Sequence, residues 1–181
     1  MTRLNILNKD QMAPNQKRIH DEIVAGPRGG IVGPFNALLH SPGIAAPAQE
    51  MGAYLRFESP IPAKLREFAI LITARFWGAQ FEWHFHAELA TKEGLSEETI
   101  QAIAVRDRPS RMDSTESIIY EFCVELLERK EVSDASYAKA LELLNEQGVV
   151  ELVGIVGYYG MVSLVLNAFR VPAPDNAMPL S

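Results

Sequence analysis

PAKLREFAILITARFWGAQFEWHFHAELATKEG occupies residues 62–94. Its first half, 62–77, is apolar nearly all round, which predicts a helix buried on every side. Pro62 suits a first helical position and Gly78 a stop. A second helix is predicted over 79–93, ended by Gly94. Wound at about 100° per residue, it places Phe81, Phe85 and Leu89 on one apolar stripe and Ala79, Trp83, Ala87 and Ala90 on another. Glu82 and His86, four apart, lie between the stripes, while His84, Glu88, Thr91 and Lys92 form the polar face. Two titratable groups therefore point into the arc that the helix buries, where they are tolerated only if paired, hydrogen-bonded or neutral. Glu67 is a third: its helical neighbours Ala63, Ile70, Leu71 and Ala74 are all apolar. The one-residue turn at Gly78 keeps the two helices adjacent, so Glu67 is expected to face Glu82 and His86.

Two carboxylates close together in an apolar setting cannot both ionise cheaply, and a histidine beside them is held as a cation or used as a relay. Such a trio moves protons at neutral pH, as general acid–base catalysis requires. Spacing alone leaves a second reading open, a buried network that only ties two helices together. Glu82-x-x-x-His86 with Glu67 also has the makings of a metal set. It lacks the paired His or Glu-x-x-His repeats of helical metal sites, so no metal is predicted. His20 and His40 are isolated and read as surface or capping groups, and His84 as solvent-facing or at an oligomer contact. Cys123, among Ile118, Ile119, Phe122 and Leu126, reads as an inert buried thiol.

The flanking sequence is helical in pattern. Pro14 opens a segment that stops at Gly26, and a breaker-rich connector runs from Gly26 to Pro34. That glycine loop follows no strand and has no Lys-Ser/Thr after it, so a rigid connector is expected rather than a phosphate cradle. A short stretch, 35–40, and a helix over 46–57 come next. Beyond the motif, Ser96 caps a helix to about residue 105, Asp113 and Glu116 have capping-box spacing before a helix over 118–130, and Ser133 caps one ending near Gly148. The apolar run 149–169 resembles a membrane span, with only Glu151 and Asn167 strongly polar. It lacks basic anchors on its N-terminal side and carries Gly154, Gly157, Gly160 and Ser163 at every third position, where a neighbouring helix can approach. A buried core or interface helix is therefore expected. The tail from Val171, with three prolines, is expected to be extended. One domain over 1–181 results: an N-terminal helical extension (1–60), the motif helices (61–105) and C-terminal helices (113–170).

With 181 residues, 48% of them apolar, the chain is long enough for one sizeable core and is not disordered. Its net charge of −6 argues against nucleic acid or an anionic membrane as partner. One cysteine excludes an internal disulfide or a Cys-x-x-Cys site. The polar start MTRLNILNKDQ lacks a signal peptide's apolar core, so a cytoplasmic location is expected.

On LREFAILITARFWGAQFEWHFHAELATKEGLS (65–96), with support from HSPGIAAPAQEMGAYLRF (40–57) and VELVGIVGYYGMVSLVLNAFRVP (150–172), the chain resembles the carboxymuconolactone decarboxylase family, which includes the alkylhydroperoxidase D (AhpD) proteins. The resemblance implies an all-α, AhpD-like helical bundle that assembles into dimers, trimers or hexamers. The peroxidase members use a Glu and then Cys-x-x-Cys-x-x-x-His; here Glu67 and His86 match, while the cysteine positions hold Ala79 and Glu82. Their dithiol chemistry is thereby lost, and Cys123, in another helix, does not restore it. The decarboxylase members resemble Glu-x-x-x-His at this place, matched by Glu82 and His86. Their loss of CO₂ from a carboxylated muconolactone needs proton transfer and no metal or organic cofactor. The expected function is a cofactor-free acid–base lyase on a small carboxylated lactone or aromatic-degradation intermediate. Glu67, Glu82 and His86 are its catalytic residues. Trp83 and Phe85 are pocket walls, and Arg66 or Arg75 is the candidate for a substrate carboxylate. An antioxidant peroxidase and a non-catalytic oligomeric binding protein are the rivals.

Overall fold

The computed structural model describes residues 2–174 together with 177 and 180. Among these are eight α-helices and no strand: α1 (Pro14–Ala25), α2 (Phe35–Leu38), α3 (Pro42–Ala53), α4 (Ala63–Trp77), α5 (Gln80–Lys92), α6 (Glu97–Ala104), α7 (Ser114–Arg129) and α8 (Asp134–Phe169). A π-helical turn, Tyr54–Glu58, continues α3. Helix α4 is the axis of the bundle. Every residue from Glu67 to Arg75 is buried, and α5, α6, α7 and α8 all pack on it.

The turn from α4 to α5 is made by backbone rules. Gly78 is left-handed (φ 62°, ψ 33°), its N–H bonds to Arg75 O at 3.1 Å, and Ala79 N–H reaches Ala74 O at 2.9 Å. This paired closure satisfies the last carbonyls of α4 and reverses the chain within two residues. Helix α5 therefore lies against α4, as the turn at Gly78 implies.

Three boundaries depart from the sequence pattern. Helix α3 starts at Pro42, not near 46, because Ser41-Pro42 already begins it. Pro47, inside it, deprives only the exposed Gly43 carbonyl near the helix start, where solvent can replace the bond. Helix α7 starts at Ser114, since the capping box is itself the start: Asp113 Oδ1 accepts from Glu116 N–H at 2.8 Å and Glu116 Oε2 from Asp113 N–H at 3.1 Å. The break expected near Gly148 falls at Asn145 (φ 57°, ψ −178°), inside one long helix. Asn145 Oδ1 accepts from Gly148 N–H at 3.3 Å and so caps the restarted helix. A Cβ at Gly148 would lie 2.7 Å from Leu144 Cβ, so the glycine serves the close approach after the kink rather than the break.

The apolar half of α8 is a core helix in this fold: about three-fifths of its most apolar window is buried within the protein. Its two polar residues are satisfied. Asn167 donates to Trp77 O at 2.7 Å, and buried Glu151 accepts from Tyr54 (2.6 Å), Ser59 (2.5 Å) and Gln147 (2.8 Å). The small residues do not make one face, because steps of three wind backwards by about 60° each. Gly160 lies against Trp77 and Gly154 near Leu55 and Met51, whereas Gly157 faces open space. Arg3 closes the end of α8, its backbone N–H reaching Phe169 O at 2.9 Å and its guanidinium Ala168 O at 3.0 Å. The tail is irregular from Val171 to Pro174. Residues 175, 176, 178, 179 and 181, with Pro179 among them, lie outside the described residues.

Candidate active site

Helices α4 and α5 bring the three predicted acid–base residues together. His86 Nδ1 is 2.5 Å from Glu67 Oε2, and His86 Nε2 is 3.0 Å from Glu82 Oε1. All three side chains are buried, at 6% (Glu67), 7% (Glu82) and 2% (His86) exposure. Glu82 reaches the ring because it lies one turn before it on the same helix face; Glu67 does so because the Gly78 turn stacks α5 on α4. Burial opposes a charge on His86, but the hydrogen bonds from its ring to Glu67 and Glu82 outweigh that penalty and raise its pKa above the usual 6.5. The Tyr159 ring stands edge-on to the imidazole with centroids 5.0 Å apart.

Glu82 and His86 form part of the wall of an open-mouthed cavity of about 390 Å³ including its mouth. Glu67 is not in the lining; it sits behind His86. The order from the cavity inward is therefore Glu82, His86, Glu67, with Glu82 Oε1 hydrogen-bonded to the ring.

The walls differ from those expected. Phe85 lines the cavity, as do Phe81, Tyr158 and Tyr159. Trp83 faces the core instead, 7% exposed, and Arg66 donates to Ile61 O at 3.2 Å; neither is in the lining. Trp83 points away because α5 turns its Glu82–His86 edge to the cavity and its Trp83 edge to the core; Arg66, on α4, is tied instead to the Ile61 carbonyl. The cations at the cavity are Arg28, from the glycine-rich connector, and Arg56, from the π-helical turn. No local motif marks either residue. The only sequence signal for Arg28 is its place among glycines, which let a loop fold inward. Gly33 shows the packing this needs: it is left-handed (φ 56°), and a Cβ there would lie 2.5 Å from the Phe81 ring.

The other singled-out residues lie elsewhere. His20 contacts Asp21 at 2.8 Å, and the His40 Nε2 pairs with Asn5 O at 2.9 Å. His84 is one-fifth exposed, with Glu88 at 3.6 Å. Cys123 is fully buried on α7, and burial pushes its thiol pKa far up. Ala79, at the first cysteine position of the peroxidase pattern, is also fully buried. Among the described residues no group of three or more His, Cys, Asp or Glu is arranged to hold a metal ion.

Residues 42–114 match the carboxymuconolactone decarboxylase family, a segment that contains all three members of the trio. Over that segment the chain is similar to the carboxymuconolactone decarboxylase family. Solved structures share its architecture. The AhpD-core, peroxidase-related protein from Ralstonia eutropha aligns over 96% of this chain and 93% of its own, with a TM-score of 0.77 and 13% identity. A peroxidase-related protein from Silicibacter aligns over 97% and 93%, with a TM-score of 0.77 and 12% identity. The debrominase Bmp8 aligns over 96% and 91%, at 0.70 and 12%. At these identities the likeness is one of fold. No curated protein matches the chain by sequence.

Proposed function

We propose that this AhpD-like protein is a cofactor-free acid–base enzyme of the carboxy-lyase type, acting on a small carboxylated lactone or related aromatic-degradation product. The observation that supports it most is the buried row Glu82–His86–Glu67 opening onto one cavity through Glu82 and His86. In the proposed step the C–C bond to the departing carboxylate breaks and CO₂ leaves. The electron pair stays on the substrate carbon, which takes the proton of the His86 imidazolium, passed from Nε2–H through the Glu82 carboxylate. His86 is left neutral and regains its proton from solvent once the product has gone. Glu67 holds Nδ1, keeps the imidazole aligned and favours its charged form before the transfer, as a carboxylate behind a catalytic histidine does. The aromatic wall keeps bulk water from the carbanion-like centre.

A dithiol peroxidase reaction is not proposed. The positions that would hold its thiols are Ala79 and Glu82, and Cys123 is buried in another helix. Turnover of carboxymuconolactone and related lactones tests the reading. Glu82→Gln and His86→Ala are each expected to lower kcat by about 10²–10⁴-fold, the usual worth of a general acid–base group. Wild-type turnover in both variants rejects the assignment.

A further inference from the structure

We infer that Arg28 and Arg56 form a clamp for a carboxylate that the substrate keeps, so that the substrate is a small planar or unsaturated acid held by one carboxylate while reacting at a carbon beside Glu82. This rests on the cavity being the place where Glu82 acts. Four observations lead to it. Both guanidinium groups converge on one cavity in a chain of net charge −6. The Arg28 Nε and Nη2 are buried and find no well-aligned acceptor among the described residues. A guanidinium in that condition is costly unless an anion completes it. Its plane is supported from below, with Cζ 4.7 Å from the centre of the Phe35 ring, and Arg56 lies over Phe85 at 5.3 Å. Among the described residues each cation is thus supported by an aromatic face, and neither forms an ion pair with a carboxylate. Finally, Gly52 makes room for the arrangement: a Cβ there would lie 2.4 Å from Arg28 Nη2 and 2.1 Å from the Tyr158 hydroxyl.

The chemistry selects the ligand. An Arg fork matches a planar carboxylate in geometry and charge, and the Phe81 and Phe85 rings, stacked at 10° with centroids 6.5 Å apart, suit a flat body beside it. The clamped group is not the one that leaves. Loss of CO₂ moves negative charge from the carboxylate into the carbon skeleton, so a guanidinium pair on the departing group stabilises the ground state more than the transition state and slows the step. On a carboxylate that stays, the same pair fixes orientation without that penalty.

Calorimetric titration with benzoate and with its neutral counterpart benzamide tests the clamp without needing the true substrate. The wild-type protein is expected to bind benzoate at least tenfold more tightly than benzamide. Arg28→Gln should remove that preference, and Arg56→Gln should weaken it. Arg28→Lys should keep part of it, because a lysine retains the charge and loses the fork. Glu82→Gln should leave benzoate binding intact or tighten it while abolishing turnover, so a failed relay and a failed clamp give different results. Equal affinity for the two probes in the wild type, absence of binding by both included, overturns the clamp. So does undiminished benzoate preference in a folded Arg28→Gln protein. If Arg28→Gln does not fold, the wild-type comparison and Arg28→Lys decide.

Discussion

His86 has a carboxylate on each ring nitrogen, so its charge is set by a contest between burial and two hydrogen bonds. The hydrogen bonds win, and the imidazolium persists above the ordinary 6.5 of a free histidine. The stabilisation it gives is therefore fully present below pH 6.5, where the unfolded chain's histidine is also protonated, and is lost as pH rises through the raised folded value. Imidazole ¹⁵N shifts across a pH titration should report a doubly protonated ring at pH 6.5 and somewhat above; a ring half-neutral below 6.5 contradicts this reading. Glu151 has the opposite sign. Burial alone would raise its pKa, but the hydroxyls of Ser59 and Tyr54 and the Gln147 amide hold it below 4.5. Its contribution is present above the unfolded value of 4.5 and is lost as pH falls through the lowered folded one. Glu151→Gln should accordingly flatten the acid limb of stability against pH below about 4.5, as read by urea unfolding at a series of pH values. An unchanged acid limb removes Glu151 from that role. The same residue anchors the Tyr54–Glu58 turn that carries Arg56, so a group whose place in an apolar run looked anomalous in the sequence positions the cavity wall.

Among the elements, periodicity and caps made α4, α5 and α6 legible, because Gly78, Gly94 and Ser96 are local signals whose geometry needs no tertiary help. The α8 break was legible near Gly148, but its place at Asn145 was not. Asn145 has the φ and ψ of a region that glycine alone occupies without strain, and the packing of α8 against α4 and α7 holds it there. Such a conformation costs about 1–3 kcal/mol, while replacing an asparagine cap by glycine loses only a few tenths. Asn145→Gly should therefore stabilise the fold by about 1 kcal/mol, visible as a raised Tm in thermal unfolding; a lowered Tm means that the asparagine cap outweighs the strain. Arg106 poses a similar case at the end of α6. It is left-handed (φ 64°) and its positive charge disfavours that of buried Arg75. Arg106→Gly relieves both and is expected to add roughly 0.5–1 kcal/mol.

For the molecule as a whole, the relay lies inside the family segment 42–114, while Arg28, Tyr158 and Tyr159 come to its cavity from outside it. That division explains why the acid–base trio was readable from two adjacent helices and the clamp was not: the cavity exists only once the connector before α2 and the far half of α8 have folded against α5. Helix α8 also presents an apolar edge to solvent. Val150, Val153 and Leu164 are 71%, 44% and 49% exposed, Gly157 lies open between them, and Met51 adjoins Gly154. At about 100° per residue the α8 positions share one face of the helix, roughly 160° round from Tyr158, Tyr159 and Val162. An exposed apolar stripe of this kind is suited to contact with another protein surface, and we propose a second copy of the chain as its partner. Sedimentation velocity should then find the wild type as an oligomer and Val153→Glu as a smaller species with unchanged helical circular dichroism; a wild-type monomer counts against the contact. Because stripe and cavity occupy different faces of α8, the dissociated Val153→Glu chain should keep its benzoate affinity. A large loss of that affinity on dissociation would mean instead that a neighbouring subunit completes the cavity.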